Sequence, residues 1–173
     1  QQAISCYQQA IQVNPNHADA YNNLGSVYQG LDQTQQAINC YEKVINLCDH
    51  MLISKPYNQK IYNRRQSTLH LLNGLKGVTT KKAPKEYVQN LFNSYVMKFD
   101  HHLTVVLDYK VPEMIRKLLQ TKLGSNFIFD KVIDLGCGTG LSGQRFRPIC
   151  KRLVGIDLSP KMIAKAREKK IYD

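Results

Sequence analysis

The first third of the chain repeats itself. The stretch QQAISCYQQAIQV at residues 1–13 returns as QQAINCYEKVINL at residues 35–47, an offset of 34 residues. A repeat of this length corresponds to one pair of helices, and stacked pairs share a core because a single pair cannot bury its apolar face. The segment between the two copies, ADAYNNLGSVYQGL, supplies the first helix of the complete pair. The sequence therefore restricts this part of the chain to stacked helical hairpins.

Small and aromatic residues recur within this repeat. We expect Gly25, Ala37 and Ala3 to let paired helices approach closely, with tyrosines filling the gaps beside them. The pattern resembles the tetratricopeptide repeat family over residues 1–51, which hold one and a half units. The resemblance implies either a groove that docks a protein or peptide partner or a spacer, and the sequence does not decide between them. Because about three units are needed for independent stability, we expect further repeats upstream.

The repeat pattern ends before the middle of the chain. Residues 52–72 keep a helical spacing of apolar residues without matching a third unit, so we predict a capping helix and a first domain over residues 1–72. The stretch NGLKGVTTKKAPKE at residues 73–86 is typical of a linker. The second domain is predicted over residues 87–173. It begins with an apolar helical stripe from Val88 to Phe99 and a helix from Pro112 to Lys122.

A glycine-rich loop at residues 134–143 follows a short β-branched run in FIFDKVIDLG. A helix pattern comes next, then a second strand, RLVGID, which ends at Asp157. Glycines let the chain turn sharply and let backbone N–H groups reach a ligand at a helix N-terminus. An acid at the end of the second strand can accept both ribose hydroxyls of a nucleotide. The order predicts a nucleotide-binding unit of α/β type.

Two cofactors fit this order. GTGLSG satisfies the GxGxxG pattern of dinucleotide-binding proteins, and Asp157 lies 19 residues after Gly138, which keeps an NAD-binding oxidoreductase open. Asp134 favours the other cofactor, because a carboxylate there suits the ammonium of an amino-acid group and poorly suits a pyrophosphate. The GxGxG spacing from Gly136 and the capped helix after Asp157 point the same way, to a methionine-bearing nucleoside.

VIDLGCGTG followed by VGIDLSPKMIAKAR resembles the class I S-adenosylmethionine-dependent methyltransferases. The wider chain, including APKEYVQNLFNSYVMKFDHHL, is similar to predicted methyltransferases with N-terminal tetratricopeptide repeats. The resemblance implies a Rossmann-like, doubly wound domain, of which this chain holds the first part. It implies that Asp134 contacts the amino-acid end of the cofactor, that Asp157 holds the ribose, and that Leu158 and Met162 line the adenine. Four loop residues would lend their backbone to the methionine part: Gly136, Cys137, Gly138 and Gly140.

The resemblance also predicts what lies outside the chain. A domain of this family needs about seven strands, and only two are present, so the catalytic residues and the methyl acceptor are not identified. We expect this chain to be the cofactor-binding half of a methyltransferase, cut at both ends and inactive alone. A non-enzymatic repeat scaffold that binds proteins remains an alternative, as does the NAD-binding oxidoreductase.

Composition narrows the partners. The net charge is +11 and concentrates in residues 52–99 and 131–173, which is typical of solvated helix faces and a basic linker and disfavours nucleic acid as a partner. The five cysteines never form a CxxC pair and the histidines lack ligand spacing, so we predict neither a disulfide framework nor a metal site. Free cysteines fit a reducing cytoplasm. The chain contains no stretch of about 18 apolar residues, so we predict no membrane span.

Overall fold

A computed structural model describes residues 2–173; Gln1, the first residue of the first repeat copy, lies outside the described residues. The chain forms two compact units that meet in sequence between Tyr87 and Val88. No helix within residues 2–173 combines the length and the apolar character needed to cross a membrane.

The first unit consists of four helices, α1 (Gln2–Val13), α2 (Ala18–Gly30), α3 (Thr34–Ser54) and α4 (Gln59–Leu75). Short turns join them, and α2 packs against α3, which packs against α4. The third helix continues well past Asp49, because this position carries no proline to stop it. The repeat pattern therefore folds as the predicted helical hairpins, and residues that do not match the repeat form α4.

The core of the first unit lies between α2, α3 and α4. Tyr41 and Ala37 of α3 are fully buried and pack with Leu72 of α4. A methyl group added at Gly25 of α2 would stand 2.7 Å from Cε1 of Tyr41, so the glycine lets these helices approach closely. The expectation of a close helix approach at Ala3 is wrong, since this residue is exposed on α1.

The second unit begins with helices and ends with a parallel strand pair. The helices predicted at Val88–Phe99 and Pro112–Lys122 are confirmed. Gly124, with a positive φ of 89°, ends the second of these helices. In chain order the elements are α5 (Lys85–His101), a π-helical turn (His102–Val106), α6 (Val111–Leu123), β1 (Phe129–Leu135), α7 (Leu141–Phe146), a 3-10 turn (Arg147–Ile149), β2 (Cys150–Ile156) and α8 (Pro160–Glu168).

The two strands are parallel and joined by α7, which makes a βαβ unit. Asp134 of β1 stands in register with Gly155 of β2, so the carboxyl ends of both strands meet at one edge. Leu153 of β2 pairs with Val132 of β1 and is fully buried. The predicted fold class, a helical repeat segment followed by the first part of an α/β domain, is confirmed. The exact domain limits at residues 72, 86 and 87 remain predictions.

Candidate functional site

The glycine loop adopts a backbone that few other residues tolerate. Gly136, Gly138 and Gly140 have φ values of 74°, 53° and 91°, in the left-handed region where a Cβ atom is strained. The loop is also tied to the neighbouring strand, because the amides of Gly136 and Cys137 donate to the carbonyl oxygen of Ile156 at 2.7 and 3.0 Å. The turn itself therefore requires glycine at positions 136, 138 and 140, whether or not a ligand is bound.

Asp157 joins the two strand-end loops. Its Oδ2 accepts the amide hydrogen of Gly138 at 2.9 Å, and its Oδ1 accepts that of Ser159 at 2.8 Å. The side chain is partly buried, and each carboxylate oxygen can accept a further hydrogen bond. The structure therefore brings the glycine loop and the acid after β2 together, as their order in the sequence predicts, and holds the carboxylate in one orientation.

Asp134 lies at the end of β1 and has a partner that the sequence did not indicate. The hydroxyl of Tyr172 donates to Oδ2 of Asp134 at 2.7 Å. Burial, followed by this hydrogen bond and the negative charge of Asp134, raises the pKa of Tyr172 above its usual range. The phenol therefore stays protonated and acts as a donor at neutral pH.

Cys137 lies inside the loop with only 5% of its surface exposed. Burial raises the pKa of its thiol to about 11, and the negative charges of Asp134 and Asp157 act in the same direction. A thiol that keeps its proton is a poor nucleophile, because the thiolate is the reactive form. Cys137 thus has a small, neutral side chain, and its backbone amide makes the hydrogen bond to Ile156.

The structure places the two predicted adenine-lining residues differently. Leu158 is 40% exposed and directly follows Asp157, so its side chain is available to a ligand. Met162 is fully buried in the first turn of α8, where its amide donates to the Ser159 hydroxyl oxygen at 3.1 Å. Ser159 is the N-cap of α8, as expected for a serine before a proline.

Helix α5 supplies contacts to both loops that sequence reasoning missed. The Ser159 hydroxyl donates to Oδ1 of Asn93 at 2.6 Å, and the Phe99 ring lies 3.3 Å from where a Cβ of Gly138 would be. Asp100 accepts from the Thr139 hydroxyl, and its other oxygen pairs with Nζ of Lys169 at 2.8 Å. The apolar stripe predicted that α5 packs inward, but nothing in the sequence indicated these polar partners.

No group of three or more His, Cys, Asp or Glu side chains within residues 2–173 is arranged to hold a metal ion. The site is composed of a glycine loop in left-handed backbone conformations, two carboxylates and backbone amides at the edge of a parallel strand pair. This combination is suited to a polar ligand with hydroxyl and ammonium groups, which are hydrogen-bond donors.

Comparison with known families divides the chain in the same way. A TPR repeat family matches residues 1–32, and a tetratricopeptide repeat family matches residues 18–50. A methyltransferase domain family matches residues 132–171, which include the glycine loop and Asp157. Both resemblances predicted from the sequence are thus confirmed.

Three curated proteins are similar to parts of the chain. An uncharacterized methyltransferase of Schizosaccharomyces pombe is 51% identical over 39 residues, which are 22% of this chain and 15% of that protein. A second uncharacterized methyltransferase of the same organism is 30% identical over 91 residues, 47% of this chain and 32% of that protein. The uncharacterized protein ycf37 of Pyropia yezoensis is 37% identical over 64 residues, 37% of this chain and 32% of that protein.

The chain thus spans at most about a third of the length of the relatives it matches. No solved structure matches it.

Proposed function

We propose, for a chain that carries tetratricopeptide repeats followed by a methyltransferase-domain segment, that the glycine loop and Asp157 bind S-adenosylmethionine. The observation that carries this proposal is the placement of Asp157, whose carboxylate is held beside Gly138 by two backbone amides. The cofactor would supply the activated methyl group, and the protein would contribute binding and alignment.

Each proposed contact uses a group with matching chemistry. Asp157 has acceptor capacity left for the two ribose hydroxyls, and Asp134 would accept from the ammonium of the methionine part. The exposed side chain of Leu158 would cover one face of the adenine, with Met162 behind it. The backbone of four loop residues would contact the methionine part: Gly136, Cys137, Gly138 and Gly140.

Asp134 is also the argument against a dinucleotide. A pyrophosphate placed on this loop would lie close to a carboxylate, and like charges at short range are unfavourable. The ammonium of S-adenosylmethionine is positively charged, so the same carboxylate would attract it. Asp134 therefore favours S-adenosylmethionine over NAD. An NAD-binding oxidoreductase is the alternative for the site, and a protein-binding scaffold is the alternative for the whole molecule.

The repeats would serve as a docking module or a spacer for the methyltransferase. Tetratricopeptide units stack into extended surfaces that bind other proteins, so we propose a protein or peptide partner on the first unit. The acceptor of the methyl group is not assigned, and methyl transfer is proposed for the longer protein to which this segment corresponds. A cytoplasmic location also remains a prediction.

The binding of S-adenosylmethionine is tested by isothermal titration calorimetry of the chain, with NADH titrated in parallel. We expect saturable binding of S-adenosylmethionine and no binding of NADH. Asp157→Ala should weaken the binding by about 10-fold to 100-fold, because it removes charge-assisted hydrogen bonds to the ribose. Asp130→Ala is the matched control, since this carboxylate of the same unit has 87% of its side chain exposed and should leave the affinity unchanged.

Tighter binding of NADH than of S-adenosylmethionine would overturn the proposed methyltransferase function in favour of an oxidoreductase. If the chain bound neither S-adenosylmethionine nor NADH but captured peptides on its first unit, a non-enzymatic protein-binding scaffold would be the correct function. The midpoint of thermal unfolding of Asp157→Ala shows whether the variant keeps its fold, because the substitution also removes the acceptor of two backbone amides.

A further inference from the structure

The ring of Tyr172 lies among three glycines of the second unit. A methyl group added at Gly155 would stand 2.8 Å from Cε1 of Tyr172, and one added at Gly143 would stand 2.6 Å from Cζ. One added at Gly140 would stand 3.2 Å from Cε2. Gly140 and Gly143 lie about one turn apart at the start of α7 and Gly155 lies in β2, so two separate pieces of backbone leave space for one aromatic ring.

This packing places the hydroxyl of Tyr172 at the carboxylate of Asp134, with the thiol of Cys137 also close to the ring. The phenol oxygen lies 2.7 Å from Oδ2 of Asp134, in a partly buried environment. Within residues 2–173 no other group donates a hydrogen bond to the carboxylate of Asp134, and its Oδ1 has no hydrogen-bond partner. The hydroxyl is therefore the one group of the described chain that restrains the orientation of this carboxylate.

We propose that Tyr172 is a positioning residue for the cofactor site, whose hydroxyl holds Oδ2 of Asp134 so that Oδ1 accepts from the ammonium of the cofactor's amino-acid part. This inference rests on the proposed binding of S-adenosylmethionine. It adds a residue 38 positions away from Asp134 in the sequence, outside the glycine loop and outside the acid after β2.

A purely structural role for Tyr172 makes a different prediction. If the ring only filled the space beside the glycines, loss of the hydroxyl would leave ligand binding unchanged, and loss of the fold would affect every ligand equally. A positioning role affects only ligands that carry the ammonium group. The two roles are therefore separated by comparing ligands with and without the amino-acid part.

The test compares the unsubstituted chain with Tyr172→Phe, which keeps the ring and removes the hydroxyl. Titration calorimetry is performed with S-adenosylhomocysteine and with 5′-methylthioadenosine, which keeps the nucleoside and the thioether but lacks the amino-acid part. We expect the Kd for S-adenosylhomocysteine to rise by about 10-fold to 100-fold, which is typical of a lost hydrogen bond to a charged group. The Kd for 5′-methylthioadenosine should change by less than about 2-fold.

Two further variants complete the design. Tyr109→Phe is the matched control, because this exposed tyrosine of the same unit makes no side-chain hydrogen bond within residues 2–173 and should not alter either affinity. Asp134→Asn, alone and combined with Tyr172→Phe, gives a double-mutant cycle. Tyr172→Phe should have no further effect on S-adenosylhomocysteine once Asp134 is replaced, and this cycle decides the result if 5′-methylthioadenosine binds too weakly to measure.

The outcomes distinguish the inference from the proposed function. If the unsubstituted chain does not bind S-adenosylhomocysteine, the proposed function fails and the role of Tyr172 fails with it. If the chain binds but Tyr172→Phe binds equally well, only the role of Tyr172 is overturned. Equal weakening of both ligands, or additive effects in the cycle, would show a structural residue and would also overturn the inference.

Discussion

At the scale of single residues, the environment of Cys137 decides its chemistry. The thiol is buried between the carboxylates of Asp134 and Asp157, and its pKa rises to about 11. The unfolded chain would ionise the same thiol near its ordinary pKa of 9.0. Folding therefore protects Cys137 from alkylation over the pH range between these two values, in addition to shielding it sterically. Cys6, in contrast, is exposed on α1.

This contrast predicts the pattern of alkylation by iodoacetamide. At pH 8 the native chain should react rapidly at Cys6 alone, and Cys137 should react only as the pH approaches 11, because the thiolate is the reactive form. Peptide mass spectrometry after timed quenching measures the rate at each cysteine. In denaturant all five cysteines should react.

The variant Cys6→Ser is the control for this experiment and should leave the native chain almost unlabelled at pH 8. Labelling of Cys137 in the native chain at the rate of Cys6 would contradict the buried, neutral thiol that the structure shows.

At the scale of elements, the contact between α2 and α3 depends on one missing side chain. Gly25 faces the ring of Tyr41, which is fully buried, while Gly74 of α4 has open space at the place where its Cβ would be. The two glycines both lie in helices of the first unit, yet only one of them is required by packing. They form a matched pair for measuring the value of close helix approach.

Gly25→Ala should destabilise the first unit by about 1 to 3 kcal/mol, because the added methyl group overpacks the core against Tyr41. Gly74→Ala should instead stabilise it by about 0.5 to 1 kcal/mol, since alanine favours the helix and restricts the unfolded chain. Urea denaturation followed by circular dichroism measures both, as the chain contains no tryptophan. Equal effects of the two substitutions would mean that the contact between Gly25 and Tyr41 is not tight in solution.

At the scale of the whole molecule, the two units hold different kinds of chemistry. The first unit is a helical stack whose core residues all lie before Tyr87, and every residue proposed to hold the cofactor lies after Val88. Positive charge is present in both units, and residues 1–51 carry a net charge of −3. The boundary between the two units therefore separates the core of the helical stack from every residue proposed to hold the cofactor.

This division predicts that damage to the repeats leaves cofactor binding intact. Gly25→Ala should lower the stability of the first unit and leave the Kd for S-adenosylhomocysteine within about 2-fold of the unsubstituted value. Calorimetric titration below the unfolding temperature of the variant measures this. A large change in Kd would show that the repeats contribute energetically to the site.

The sequence by itself determined the features that depend on local spacing. The 34-residue period predicts the helical hairpins because helix pairing repeats with the chain, and the residues of β1, the loop and β2 follow in the order that a βαβ unit requires. The positive φ values of Gly136, Gly138 and Gly140 agree with the turn that their spacing predicts. These features depend on residues that are close together along the chain, so they can be predicted from a single sequence.

Only the tertiary structure decided which distant residues complete the site. The hydrogen bond from Tyr172 to Asp134 joins residues 38 positions apart, and that from Ser159 to Asn93 joins residues 66 positions apart. It also showed that Met162 is fully buried while Leu158 is 40% exposed, and that Ala3, which was expected at a close helix contact, is exposed. Such outcomes depend on how helices and strands pack in three dimensions. Spacing along the sequence does not determine that packing, because many side chains share the same local pattern and few of them meet.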